Sequence, residues 1–416
     1  MNRGGLAKDI EQVIESGNCS GCGACVQINP EISMVMSNDG FLRPALEISV
    51  GREDARQRRE FAKVCPGRRV VAPPKGQAAR HPSLGPVMHA WEAWASDEQF
   101  RFRGSSGGAL SALTGWLLET GQIYSVTGAS GKTENPRRTV AVDLTTRDEV
   151  LRAAGSRYAP VANVAQYRPV DQPVGFIGKP CEAAALRALS RIRNEENPPL
   201  IISFFCAGVP SQTATDRLVD RMGVGKSSPL VDLRYRGFGW PGDFYVADED
   251  GNEGRMSYDE SWGRVLGPTT QWRCKICPDG IGESADVVAG DYWSADAAGY
   301  PIFEDRKGTS VLIARTTRGQ EVVEAAVSAG ILCVREIDLD DVATVQPLQV
   351  ERRMTISGRL LGRLLSGRRV PLYRGFGTGR FALSSPYRNL RAAAGTYLRS
   401  VKGLKQSESS LGETDG

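Results

Sequence analysis

Three cysteines spaced by three, Cys19, Cys22 and Cys25, constrain this chain more than any other feature. Gly21, Gly23 and Ala24 stand between them. Thiolates at that spacing wrap one corner of a cubane. The small residues let backbone N–H groups approach the sulfurs and hold negative charge there. Zinc sites usually pair two Cys-x-x-Cys knuckles, which a triplet at period three fits poorly. The expected fourth ligand is Cys65, because a cysteine followed by proline, here Pro66, is the closing element of such cluster motifs. Cys65 lies forty residues after Cys25 and no second complete triplet exists, so one cluster is expected in this region.

The inventory narrows the chemistry further. Nine cysteines accompany only two histidines, His81 and His89, which rules out a three-histidine zinc site. The 416 residues suffice for two or three domains, and a net charge of +4 does not suggest a nucleic-acid binder. No apolar run of about 18 residues occurs, so no membrane-spanning helix is expected. The start, Met1 to Leu6, lacks the apolar stretch of a secretory signal. The expected compartment is therefore the cytoplasm, where many cysteines read as metal ligands or catalytic groups rather than disulfides.

Along the chain, residues 1–80 read as a small cysteine-bearing domain, ending in the linker-like Pro73-Pro74-Lys75-Gly76-Gln77. Residues 81–225 alternate strands with helices. Leu110–Leu118 has helical spacing, Gly175–Gly178 ends a strand, Leu186–Leu189 starts a helix, and Leu200–Phe205 is a buried strand. Residues 226–350 carry more strand-like runs, including Thr309–Ala314, and the turn Arg236–Gly242. Residues 351–416 form a basic extension led by Arg352, Arg353, Arg359, Arg363, Arg368, Arg369, Arg374 and Arg380. Its last ten residues, with Ser407 to Ser410, are expected to be disordered. The fold class is α/β (α+β overall): a small N-terminal ferredoxin-like domain, then a mixed α/β domain.

A second cysteine set is more scattered. Cys274-Lys275-Ile276-Cys277-Pro278 is a Cys-x-x-Cys followed by proline, and Cys181 and Cys206 end predicted strands. Strand ends facing a crevice are where α/β folds build sites. The four could ligate one cluster, or two could be buried structural cysteines beside a redox or zinc pair. Cys333, in the apolar run Ile331–Val334, reads as a core residue. The turn Gly104-Ser105-Ser106-Gly107-Gly108 enters a helical pattern, where exposed N–H groups suit the pyrophosphate of a dinucleotide. It also reads as a plain loop with a serine cap.

In this order the motifs resemble the coenzyme F420 hydrogenase/dehydrogenase beta-subunit family, from about Cys19 to Arg315. The resemblance rests on the cysteine triplet, Gly104–Gly108, Gly155-Ser156-Arg157-Tyr158 and Gly178-Lys179-Pro180-Cys181. It continues through Phe205–Ser211, Gly239-Trp240-Pro241-Gly242, Arg273–Gly280, Ala285-Asp286 and Gly290–Trp293. It implies two 4Fe-4S clusters, the second held by Cys181, Cys206, Cys274 and Cys277, and FAD at the glycine-serine turn. Ser156, Arg157, Tyr158 and Lys179 would then join that turn at the cofactor. Relatives pass electrons between deazaflavin, ferredoxin or a partner hydrogenase and a substrate. Some reduce chlorophyll-type pigments, and others occur alongside surface-polysaccharide enzymes. Lys179, Glu182 and Ala207 depart from the family's commoner residues, which bears on donor and substrate.

The leading expectation is an iron–sulfur flavoprotein oxidoreductase passing electrons from ferredoxin or deazaflavin through both clusters and FAD to an organic substrate. Tyr158, Lys179, Asp243 and Asp291 are the candidates for acid–base or electrostatic work. An electron-transfer subunit serving a partner enzyme and a zinc-stabilised, non-redox interaction module are the alternatives. The arginine-rich extension either docks an acidic ferredoxin or an acidic membrane surface, or forms a solvated helix face.

Overall fold

The structure, a computed structural model, describes residues 5–46, 55–74, 76–296, 302 and 307–412. At its centre lies an eight-stranded mixed sheet. Its spatial order is Leu332–Glu336, His89–Ala95, Thr309–Ala314, Val287–Tyr292, Leu200–Phe204, Val174–Gly178, Ser125–Lys132 and Asn135–Leu144. The four strands from Val287–Tyr292 to Ser125–Lys132 run parallel to one another, and the flanking strands pair antiparallel. The central strands are near-continuous apolar runs because helices cover both sheet faces.

Alternation along each strand sorts the core into two layers. Leu200, Ile202, Val287 and Ala289 face helices Ala109–Glu119 and Thr317–Ser328. Ile201, Val288 and Phe176 face helix Pro180–Arg193. That second layer also takes in Leu6, Ile10 and Val13 of helix Gly5–Glu15, together with Cys22 and Phe61. Buried residues from Leu6 to Val64 thus share one core with the large sheet. A separate three-stranded antiparallel sheet, Leu230–Arg234, Phe244–Asp248 and Glu253–Met256, packs its own core against helix Gln212–Met222.

The basic extension folds back over the N-terminal region. Its strand Leu372–Arg374 pairs in parallel with Arg69–Val71. Instead of forming one solvated face, several of its arginines turn inward. Arg353 and Arg363 are buried, and Arg363 donates to the Ser16 carbonyl at 2.6 Å. Helix Pro386–Gly412 runs through Ser407–Ser410, and residues 413–416 of the expected disordered tail lie outside the described residues.

Two further expectations change. The helix expected to start at Leu186 begins at Pro180, because proline's fixed φ suits the first helical position. Cys181 therefore sits in a helix's first turn. Cys333 is only half-buried, because its strand lies at the edge of the sheet; its Sγ lies 3.4 Å from the Ser96 hydroxyl. Among the described residues no helix is long and apolar enough to cross a membrane.

Candidate functional site

Cys19, Cys22, Cys25 and Cys65 line one cavity, walled by Ile10, Val13, Ile28, Phe61 and Val64. Gly23 has φ +82°, and a Cβ there would strike Ala165 Cβ at 2.7 Å, so the triplet's tight path requires glycine. Backbone N–H groups of Gly21, Ala24, Gly67 and Arg68 hydrogen-bond to the sulfurs, the role the small residues suggest. Burial pushes Cys22 up to about 11 and raises Cys19, Cys25 and Cys65. Repulsion between neighbouring sulfurs adds to this for Cys22, Cys25 and Cys65. Iron bound there would remove that penalty, because a coordinating thiol is deprotonated outright. The four thiols line one space, and that donor set fits a polynuclear cluster.

The second set gathers at the carboxyl ends of parallel strands. Cys181 follows Val174–Gly178, and Cys206 follows Leu200–Phe204. Cys206 feels the charges of Cys274 and Cys277, and Cys181 that of Cys206. Burial pushes Cys206 up to about 12 and raises Cys181 and Cys274. The loops are knitted together by backbone bonds. The Cys206 N–H donates to Gly280 O at 2.7 Å, and Arg352 donates to the carbonyls of Cys206 at 2.8 Å and Ala207 at 3.0 Å. Cys206, Cys274 and Cys277 feel one another's charge, and among the thiols Cys181 feels Cys22 first and Cys206 next, a set that fits a second cluster by the same donor chemistry.

The two sets adjoin. Cys181 lies within electrostatic range of Cys22. Between the sets runs the segment Gln271–Cys277. Gln271 donates to Ser20 O at 3.1 Å, and buried Arg273 donates twice to Pro66 O, at 3.1 and 3.2 Å, with its guanidinium over the Tyr373 ring.

Cys206 also lines a cleft of about 260 Å³ at the same strand ends. Gly104, Ser105, Ser106 and Gly108 border it, as do Ser156, Arg157, Tyr158, Lys179 and Asp291. Gly107 does not: its N–H bonds the Ser310 hydroxyl at 3.0 Å and anchors the turn to the sheet. Asp243 is exposed and does not line the cleft. Gly108, with φ +71°, caps helix Ala109–Glu119, whose first turn also borders the cleft. That helix start offers N–H groups and a favourable dipole to a phosphate. At Gly128 a Cβ would meet nothing nearer than Ile177 Cβ at 4.0 Å, so any side chain there would fill the cleft. Among the described residues, buried Asn163 Oδ1, also at the cleft, has no hydrogen-bond partner. A glycine-built cradle, a helix start and an orphaned acceptor fit a dinucleotide cofactor.

Several of these side chains are already committed. Arg157 donates to Thr139 Oγ1, Leu233 O and Pro136 O. Lys179 Nζ donates to Glu182 Oε1 at 2.6 Å and Val161 O at 2.9 Å. Burial works against the Lys179 charge, but Glu182, Cys181 and Cys206 outweigh it and raise its pKa. Lys179 and Glu182 thus form one buried pair in the helix cap.

Arg236 is the residue the sequence reading missed. It is buried at the cleft, donates to Asp291 Oδ2 at 2.6 Å and to Pro241 O at 2.9 Å, and also bonds Ser105 O. Burial opposes its charge, yet Asp291, Tyr158 and Tyr258 hold its pKa above the ordinary arginine value. An arginine opening a glycine-rich turn carries no local sign that it folds inward; only the chain's return to the Gly104–Gly108 turn shows it.

Comparison with known proteins bears on this arrangement. Residues 90–167 match the N-terminal model and residues 171–340 the C-terminal model of the coenzyme F420 hydrogenase/dehydrogenase beta subunit. A coenzyme F420 hydrogenase subunit beta from Methanococcus voltae is 25% identical, covering 69% of this chain and 99% of that protein. An F420-dependent formate dehydrogenase subunit beta from Methanocaldococcus jannaschii is 23% identical, over 58% of this chain and 60% of its own length. A chain of the F420-reducing NiFe hydrogenase complex from Methanosarcina barkeri shares the fold, with a TM-score of 0.50 at 22% identity, covering 66% of this chain and 92% of that one. With both family models matched in order over most of the described sheet, the chain belongs to the coenzyme F420 hydrogenase/dehydrogenase beta-subunit family, a family of oxidoreductase electron-transfer subunits.

Proposed function

We propose that this protein is an iron–sulfur flavoprotein that carries electrons between a low-potential donor, ferredoxin or a deazaflavin, and an organic substrate. One observation carries the reading: the first cysteine set adjoins the second through Cys22 and Cys181, and the second reaches the cleft through Cys206. Cys19, Cys22, Cys25 and Cys65 would hold one 4Fe-4S cluster, Cys181, Cys206, Cys274 and Cys277 another, and the cleft FAD. Bound there, the clusters supply one-electron transfer and the flavin supplies two-electron storage and hydride exchange.

The chain's own residues do the rest. Helix Ala109–Glu119 and the turn before it orient a pyrophosphate. Arg236 fixes Asp291 and the Ser105 carbonyl on the cleft wall, where Asp291 and Tyr158 would be available to hold or move a proton. Leu110, Val150, Ala153 and Ile177 give the cleft an apolar wall that would limit water around a bound cofactor.

The relatives' names as hydrogenase and formate dehydrogenase subunits support a second reading, relay to a partner enzyme. The two separate in one anaerobic experiment. The isolated protein is mixed with reduced ferredoxin or reduced deazaflavin, and cofactor bleaching and substrate turnover are followed. Bleaching with turnover supports the enzyme, bleaching without turnover the relay. No bleaching with either donor contradicts both.

A further inference from the structure

Helix Pro386–Gly412 has three faces. At 3.6 residues per turn, Asn389, Ala393, Thr396 and Ser400 form one of them, and all four are buried. They pack against helix Ile356–Leu365 at close range. A Cβ at Gly358 would strike Asn389 O at 2.0 Å, and one at Gly362 would strike Ala393 O at 2.3 Å. A second face carries Tyr387, Leu390, Ala394, Tyr397 and Leu398, all exposed, and a third carries the exposed Arg388, Arg391, Arg399 and Lys402. An ordinary surface helix buries its large apolar residues. Here small and polar groups face inward, and Leu and Tyr face out.

The neighbouring elements continue the pattern. Leu361, Leu364 and Leu365 are exposed on the partner helix, and Leu383 is 85% exposed between the two. From residue 352 to residue 407 the sequence contains thirteen Lys and Arg and no Asp or Glu.

We propose that this helical face lies on an anionic lipid surface, with its Leu side chains at the acyl boundary and its Arg and Lys among the headgroups. Charge complementarity and residue type carry the argument. A surface of Leu and Tyr beside a Lys/Arg stripe is the composition of helices that lie in a membrane interface. Six of the outward residues named above are Leu, a type under-represented among protein–protein hot spots. Tyr387 and Tyr397 suit the headgroup level. Arginine stems reach along apolar surface while their heads stay wet. The helix lies on the bilayer rather than through it, since no described helix is long and apolar enough to cross.

The test is flotation of the full-length protein with vesicles of phosphatidylcholine alone, and with vesicles containing about 30% phosphatidylglycerol. The protein is expected to float only with the anionic vesicles and to be released by about 0.5 M salt. Leu390 and Leu398 are 65% and 62% exposed, so the variant Leu390→Ser/Leu398→Ser keeps its unfolding midpoint. It should float at least about tenfold less. If the wild type stays unbound to both vesicle types, the proposal is overturned and the face is left for an acidic protein. Equal flotation by the folded variant also overturns it. Flotation requires neither iron nor flavin, so this outcome is independent of the proposed redox function.

Discussion

Cys19, Cys22 and Cys25 come from seven consecutive residues and need only Cys65 from elsewhere; Cys181, Cys206, Cys274 and Cys277 come from three segments spread over ninety-seven residues. The first set sits in an apolar pocket shaped by its own short loop and helix Gly5–Glu15. The second set depends on parallel strands that end side by side, and Arg352 of the C-terminal extension bonds the Cys206 and Ala207 carbonyls. The first site is a local motif, and the second is a property of the whole fold. Damage at a distance should therefore reach the second set more readily than the first.

The largest expected effect is on iron. Cys25→Ser should remove about four irons and leave the second set loaded, and Cys274→Ser should do the reverse. Iron analysis and low-temperature spectra of the reduced proteins check this. Loss of all iron from either variant contradicts two separate sites.

Next comes the clamp. Buried Arg353 pairs with Glu283, which is fully buried and also bonds Arg80 at 2.6 Å. Arg353→Ala leaves that carboxylate short of a partner and should cost about 3 kcal/mol by denaturant unfolding. Iron loss from this variant should fall on the second set.

Arg273 lies between the two sets. Arg273→Ala strands the Pro66 carbonyl and empties the space over Tyr373, at about 2 kcal/mol. Unlike the clamp variant, it should loosen both sets, seen as faster iron release from each to a chelator.

The sequence made the first set readable because its spacing is local, and because glycine and alanine between cysteines have one obvious use. It pointed to the parallel layer as well, since Gly175–Gly178, Leu200–Phe205 and Thr309–Ala314 are plain apolar runs. What it hid depends on chain return. Arg236 reads as a turn residue, Glu182 reads as a family departure and not as the partner of Lys179, and the arginines after residue 350 read as surface. Cys333 looks like core because its neighbours are apolar, yet whether a strand is central or at the edge is decided by pairing across the sheet.

A smaller effect concerns acid. Burial would raise Asp286, but Arg187, Arg318 and the Ile201 N–H outweigh it, so its pKa is lowered. A carboxylate depressed in the folded state adds stability above its unfolded pKa of about 3.9, and that stability is lost as pH falls through the folded value. Asp286→Asn should therefore be less stable than the wild type near neutrality and converge with it in acid, as unfolding midpoints across pH will show.

The smallest effect separates two aspartates. Asp243, exposed and away from the cleft, should change stability by less than about 0.5 kcal/mol and leave turnover intact as Asn. Asp291→Asn, which weakens the bond to Arg236, should lower turnover where Asp243→Asn does not.

The central claim is tested most directly by purifying the protein without oxygen and quantifying iron and extracted flavin on the same sample. Two clusters and one flavin predict about eight irons and about one FAD per chain. About four irons with flavin would contradict the second cysteine set as a cluster site, and a colourless protein holding zinc would contradict the redox account as a whole.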